Sequence, residues 1–335
     1  MVSDTDFIAA CREHVSAAKI ARVLGITERA AKARRARLEK RTGVRLPRGA
    51  GFNLEGRNGW APSGGDAYPQ RAEMSIGNGT VVAFGDMHCR PLAMRPGDTP
   101  AMAALLRVVE RVQPVALVCT GDVLDGASIS RHPPLGWETK PALVDEVGGA
   151  QHDMHRVAAA APKARRAWVV GNHDERFDRT LATRAPDYRG IPGTRLADMF
   201  PDWPLTWSLM INGDTLFIHR WHSGVHARWN NAMKGQCHIV SGDTHRAGTT
   251  HYSNQTGRTW HSIETGCMAD PSGPQFQYVR GVRPNWQMGF VVLTWRDFQL
   301  CPPEHCHVDE SGRAWFRGEV IAEKPRVRVR ARAAA

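Results

Sequence analysis

Long apolar runs are missing. No stretch approaches about 18 uninterrupted apolar residues, so no membrane-spanning helix is expected. An export signal is missing as well. The chain opens MVSDTDFIAACREH, with acids where a secretory leader carries basic residues ahead of a long apolar core. Nor do the cysteines make a disulfide framework. The seven of them, at 11, 89, 119, 237, 267, 301 and 306, are odd in number and share no repeated spacing, as expected of reduced thiols in a cytoplasm. Acids are outnumbered by bases, 33 against 44, for a formal net charge of +11. That balance favours a polyanionic partner.

What is present is the composition of a folded protein: 42% apolar and 23% charged over 335 residues, room for one large domain plus a small one. The cations concentrate between residues 12 and 48 and in the tail KPRVRVRARAAA at 324–335. Most acids and histidines lie between them.

Residues 15–42, VSAAKIARVLGITERAAKARRARLEKRT, read as two helices around a tight turn. Gly25 suits a left-handed helix end and Thr27 an N-cap. The second helix, 28–41, is made of strong helix formers. The A-x-x-L-G-I-T arrangement resembles the helix-turn-helix of bacterial and phage DNA-binding proteins, whose second helix enters the major groove. Arg29, Lys32, Arg34, Arg35 and Arg37 are then the nucleic-acid-binding candidates, with DNA as the partner. A solvated basic helical pair used for subunit contacts is the competing reading. The apolar stripe of the second helix is thin, mainly Ala31 and Leu38, so the module needs a neighbour.

These features divide the chain into a helix-turn-helix module at 1–45, a Gly/Pro-rich linker at 46–72, a catalytic domain at 73–300, and a terminal strand segment with a basic tail at 301–335. From about residue 73, β-rich runs alternate with helical stretches at 100–112 and near 141–160, and strands dominate the second half. The cluster CPPEHCHVDE at 301–310 has no closed tetrahedral zinc spacing and reads as a strand and turn.

Several strands end in the same kind of loop. TVVAF leads to Asp86 and His88, ALVCT to Asp122 and Asp125, AWVV to Asn172, His173 and Asp174, TLFI to His219, and HIVS to Asp243 and His245. In α/β sheets that edge is where ligands bind. The residue types suit two divalent cations: carboxylates can bridge them, and imidazoles and an amide fill the other positions without excess charge.

The order D-x-H, G-D-x-x-D, G-N-H-D, H, G-x-x-H resembles the calcineurin-like metallophosphoesterases over roughly residues 78–250. The resemblance implies an α/β fold with a two-sheet β-sandwich flanked by helices. It also implies a dinuclear metal site and hydrolysis of a phosphoester by in-line attack of a metal-activated water. By the same resemblance Asp86, His88 and His245 hold one ion, Asn172 and His219 the other, and Asp122 bridges both. His173 acts on the leaving group, and Asp174 orients it. Asp125 is expected to support the ligands from behind or to stabilise the loop, and not to bind an ion.

Gly-Asp-x-His occurs twice, at 85–88 and 242–245. The family has a histidine where this chain has Asp243. Either Asp243 binds the second ion and leans that site toward Mn²⁺ or Mg²⁺ rather than Zn²⁺, or it points away and leaves that site weak or empty. Mn²⁺ is the expected metal of the pair, with Mg²⁺, Fe²⁺ or Zn²⁺ as alternatives. His219 is preferred over His222 as the fourth-motif ligand, and His226 is assigned to the surface or substrate side. Arg176 and Arg246 are candidates for a substrate phosphate. The expected function is a nuclease-type phosphodiesterase on DNA. A phosphomonoesterase on nucleotides or phosphoproteins, and a non-catalytic DNA-binding regulator, are the alternatives. The phage- or prophage-encoded members of the family combine similar parts. The oligomeric state stays open.

Overall fold

A computed structural model describes residues 2–14, 17–42, 46, 68–133, 138–279, 281 and 284–323. The core of the expected linker and the basic tail at 324–335 lie outside the described residues.

The N-terminal module has three helices, α1 (Asp4–Glu13), α2 (Ala17–Leu24) and α3 (Glu28–Thr42). The turn follows the sequence chemistry. Gly25 has φ +61°, and Thr27 Oγ1 accepts from Ala30 N at 3.2 Å. The neighbour that the thin stripe of α3 needs is α1. Its Phe7, Ala10 and Cys11 pack with Ile20, Ala21, Ala31 and Leu38 in one small core.

That third helix corrects two of the DNA-binding candidates. Arg34 donates to Asp4 Oδ1 at 2.7 Å and to the Val2 carbonyl at 2.6 Å, and lies over the Phe7 ring. Arg35 is buried, with Nη2 3.9 Å from Cys11 Sγ. Both hold the module together because α1 covers the face of α3 they occupy. Arg29, Lys32 and Arg37 stay exposed, as does Lys40.

The rest is a sandwich of two sheets. A short entry strand β1 (Ala72–Met74) precedes β2 (Gly79–Phe84), β3 (Ala116–Cys119), β4 (Arg165–Val169) and β5 (Leu205–Thr206). Then come β6 (Ser208–Ile211), β7 (Thr215–Ile218), β8 (His238–Ser241), β9 (Ala247–Ser253) and β10 (Thr259–Thr265). The chain ends in β11 (Gly289–Arg296), β12 (Gln299–Leu300), β13 (Glu304–Val308), β14 (Arg313–Phe316) and β15 (Glu319–Glu323). The nine-stranded sheet runs β15-β14-β13-β11-β2-β3-β4-β5, with β12 beside β11. The six-stranded sheet runs β1-β6-β7-β8-β10-β9. The strands at 304–323 thus complete the larger sheet, so the sandwich extends past residue 300, and Tyr68 already packs in its core.

Alternation along β2 explains the layers. Val81 and Ala83 point between the sheets to meet Leu209, Phe217, Val240 and Ile263. Val82 and Phe84 point outward, under α4 (Pro100–Val112) and α5 (Leu143–Ala160), into a second core with Leu105, Val108, Met154 and Trp168. Two further helices follow β4: α6 (Glu175–Arg184) and the one-turn α7 (Leu196–Met199). On the far side, α8 (Ala227–Gly235) covers β8, β9 and β10. Strands β2, β3 and β4 are mutually parallel, and so are β7 and β8. Their C-terminal ends share one edge of the sandwich.

Among the described residues no helix is long and apolar enough to cross a membrane. All seven thiols are free. In β13 Cys306 is buried, while His305 and His307 stack on each other with ring centres 5.2 Å apart.

Candidate metal centre

The two Gly-Asp-x-His turns meet. Each leaves an apolar strand and reverses within three residues by placing both its Asp and its His in the left-handed region. Asp86 has φ 51° and His88 41°, Asp243 68° and His245 57°. Asp122 after β3 does the same at 52°. Such backbone is uncommon outside glycine and concentrates at functional sites. Here it turns five polar side chains into one space.

His88 Nε2 lies 3.0 Å from His245 Nε2, which lies 3.3 Å from Asp86 Oδ1. The Asp243 amide donates to both Asp86 carboxylate oxygens, at 3.0 and 3.2 Å, tying one turn to the other. On the other flank His219 Nε2 lies 3.3 Å from Asp122 Oδ2 and 3.8 Å from Asp243 Oδ1. Two sets of side chains therefore offer converging ligand atoms, Asp86 with His88 and His245, and Asp86 with Asp122 and His219. A third set joins His88, Asp125 and His173. The residue common to the first two sets is Asp86, beside the Asp122 that the sequence puts between the ions.

The donor chemistry fits a cation. His219 Nδ1 faces the Thr120 carbonyl at 2.7 Å and must donate to it, which leaves Nε2 as the atom aimed inward. That Nε2 is buried without a hydrogen-bond partner, and so is Asn172 Oδ1. Buried polar atoms of this kind are costly unless something fills the space they face. Burial works against a charged His219, yet the carboxylates of Asp122, Asp86 and Asp243 push its pKa up to about 10. Burial likewise opposes ionised Asp122, but His219, His173 and His88 hold its carboxyl well below the usual range. The pocket favours positive charge. The approach is close enough to need glycine: a Cβ at Gly171 would lie 2.1 Å from Asp122 Oδ1, and one at Gly121 would lie 2.6 Å from His219 Nδ1.

Asp243 faces the His219 side and does not point away. It shares its Oδ1 with Arg220, at 3.2 Å. Arg220 is half exposed at the rim, a cation the sequence reading passed over although it directly follows His219. Outside these sets, His222 packs against the Trp221 ring, and His226 is exposed at the start of α8.

The expectation for Asp174 is corrected. Its Oδ2 accepts from the amides of Asp122 and Gly171 and from Trp168 Nε1, and its Oδ1 from the amides of Val123 and Leu124. It clamps the two loops together and makes no hydrogen bond to His173. The left-handed turn at Asp122 aims those amides at it. Burial and the charge of Asp122 push its pKa up to about 6, against those donors. His173 is oriented by Asp125 instead: its Nδ1 donates to the Asp125 carbonyl at 2.8 Å and lies 3.4 Å from Oδ1. Asp125 also takes His88 Nδ1 at 3.2 Å. Burial disfavours an imidazolium at His173, but Asp122 and Asp125 outweigh it and raise its pKa.

The two arginines differ. Arg176 belongs to the site, donating to His173 Nε2 at 3.1 Å and to the Asp125 carbonyl at 2.7 Å. Arg246 donates to the Gly224 carbonyl at 2.6 Å, bracing the loop after β7.

Under the Asp125 turn sits Glu146 of α5. Its Oε1 accepts from Gly126 N at 2.5 Å, and its Oε2 is buried without a hydrogen-bond partner. Burial pushes its pKa up from 4.5 to about 7. Between those values the folded chain holds a proton that the unfolded chain has released. Stability therefore falls as pH rises through that interval. Glu146→Gln should abolish this loss. Denaturant titrations should find the variant close to the wild type at about pH 4.5 and more stable at about pH 7.5, by roughly 3 kcal/mol at most. An unchanged pH profile would contradict the assignment.

A family model for the calcineurin-like phosphoesterases matches residues 79–308. Comparison with curated proteins finds no match. The match spans more than half of the chain and every loop described above, and the chain belongs to the calcineurin-like phosphoesterase family, hydrolases acting on phosphate esters.

Proposed function

We propose that this phosphoesterase is a phosphodiesterase that cleaves DNA at a two-cation centre, with Mn²⁺ the favoured ion. The observation that carries the reading is the convergence of the two Gly-Asp-x-His turns on one pocket, beside the unpartnered His219 Nε2, with Asn172 Oδ1 also buried and unpartnered in the loop after β4. Asp86, His88 and His245 would hold one ion, and Asn172, His219 and Asp243 the other. Asp122 and Asp86 are the carboxylates that would serve both ions. Two divalent cations bound there supply charge neutralisation for a phosphoryl group and activation of a water. Asp243 adds a hard oxygen, which supports Mn²⁺ or Mg²⁺ over Zn²⁺.

His173 is the proton donor to the leaving oxygen. Its Nδ1 is fixed on the Asp125 carbonyl, so Nε2, which lies 3.1 Å from Arg176 Nη2, is the atom that would exchange that guanidinium for the leaving oxygen. Arg176 and Arg220 border the pocket and offer charge to a phosphate. Preference for nucleic acid rests on the exposed cations of α3, Arg29, Lys32, Arg37 and Lys40, in a module whose turn and N-cap suit a helix-turn-helix.

The test is a substrate pair with Mn²⁺, bis(p-nitrophenyl) phosphate against p-nitrophenyl phosphate. The expected result is a kcat/KM for the diester at least about tenfold above that for the monoester. A preference for the monoester would replace this reading by a phosphomonoesterase.

A further inference from the structure

The segment between β10 and β11, residues 266–288, is stitched to both turns of the metal centre. Met268 N donates to the Asp86 carbonyl at 3.2 Å, and Gln287 N donates to the His245 carbonyl at 2.9 Å. Between these anchors it carries three aromatic rings that the metal chemistry does not use. Phe276 is buried, with its ring centre 5.2 Å from that of His88 and 5.3 Å from that of His245. Trp286 lies 4.5 Å from His245 and 5.0 Å from Phe276, centre to centre. Tyr278 completes the group at 6.4 Å from Trp286 and is 57% exposed.

A ring buried between two histidines is ordinary packing. An exposed tyrosine on a half-buried tryptophan, held to the backbones of two candidate ligands, is a wall at the edge of the candidate metal centre. The wall offers flat apolar faces to whatever group flanks the phosphate. Flat faces of this kind bind bases of any identity by stacking.

We propose that Tyr278 and Trp286 form a stacking face for the nucleobase next to the phosphate being cleaved. The proposal rests on the phosphodiesterase reading and names its substrate class: nucleotide esters, recognised by base stacking without selection among the bases.

The test compares thymidine 5′-(p-nitrophenyl phosphate) with methyl p-nitrophenyl phosphate. Both release the same phenolate, and only one carries a base. The wild type should favour the thymidine ester, and in Tyr278→Leu and Trp286→Leu the ratio of the two kcat/KM values should fall about tenfold. Trp286→Phe, which keeps a flat ring, should restore most of it. A role confined to holding His245 would lower both substrates together and leave the ratio unchanged, which would overturn the proposal. If the wild type turned over neither diester, the phosphodiesterase reading would fall. The stacking face is then read by tryptophan quenching with thymidine 5′-monophosphate. It stands if Tyr278→Leu binds about tenfold more weakly than the wild type, and falls if the two bind alike.

Discussion

Asp122→Asn should abolish turnover, lowering kcat/KM on the order of 10³-fold with any substrate the protein accepts. The change keeps the shape and one oxygen, so the 2.9 Å bond from His173 N to Oδ1 can survive. What it removes is charge. Asp122 is buried and held ionised by three imidazoles, and it faces His219 across 3.3 Å. Without it the pocket loses a carboxylate from the flank where His219 Nε2 is buried without a hydrogen-bond partner. Cation affinity should fall with activity, which isothermal titration of the metal-free protein with Mn²⁺ would read separately. Full activity in the variant would remove Asp122 from the centre.

Neutralising Arg29, Lys32, Arg37 and Lys40 together should weaken DNA binding and flatten its salt dependence. If each cation meets one phosphate, the slope of log K against log salt should shrink by roughly 3–4. Between about 50 and about 200 mM salt, the wild type would then lose roughly 100-fold more affinity than the variant. Exposed side chains are altered, so the three-helix core should persist, and turnover of a p-nitrophenyl ester should be retained. Filter-binding or anisotropy titrations across salt would measure the slopes. A variant lacking 324–335 belongs beside it, since the basic tail supplies the same kind of charge. If the tail variant alone flattened the slope, the anchor would be the tail and not α3.

The sandwich and its site were legible because each chemical residue stands directly after an apolar run. Apolar alternation gives the strand, and the strand's end gives the site, so Asp86, Asp122, His219 and His245, which do converge, could be placed at one edge from text alone. What stayed hidden depended on turn direction and on distant partners. Asp174 and Asp125 lie in similar loops, but the left-handed backbone at Asp122 sends three amides toward Asp174 and leaves Asp125 to His173. Arg34 and Arg35 face inward because α1, a ten-residue helix ahead of the two that the sequence marks, covers them. Strand β9, AGTTHYS, escaped notice because no large aliphatic residue marks it, its pairing coming from β10. The aromatic wall comes from an irregular segment whose place is set by backbone hydrogen bonds to the two turns, which no periodicity reveals.

The most direct test is an anomalous difference map from a crystal of the protein grown with Mn²⁺. Two peaks are expected about 3.5–4 Å apart, one among Asp86, His88 and His245 and the other among Asp122, Asn172 and His219. A single peak, or peaks away from these side chains, would contradict the account.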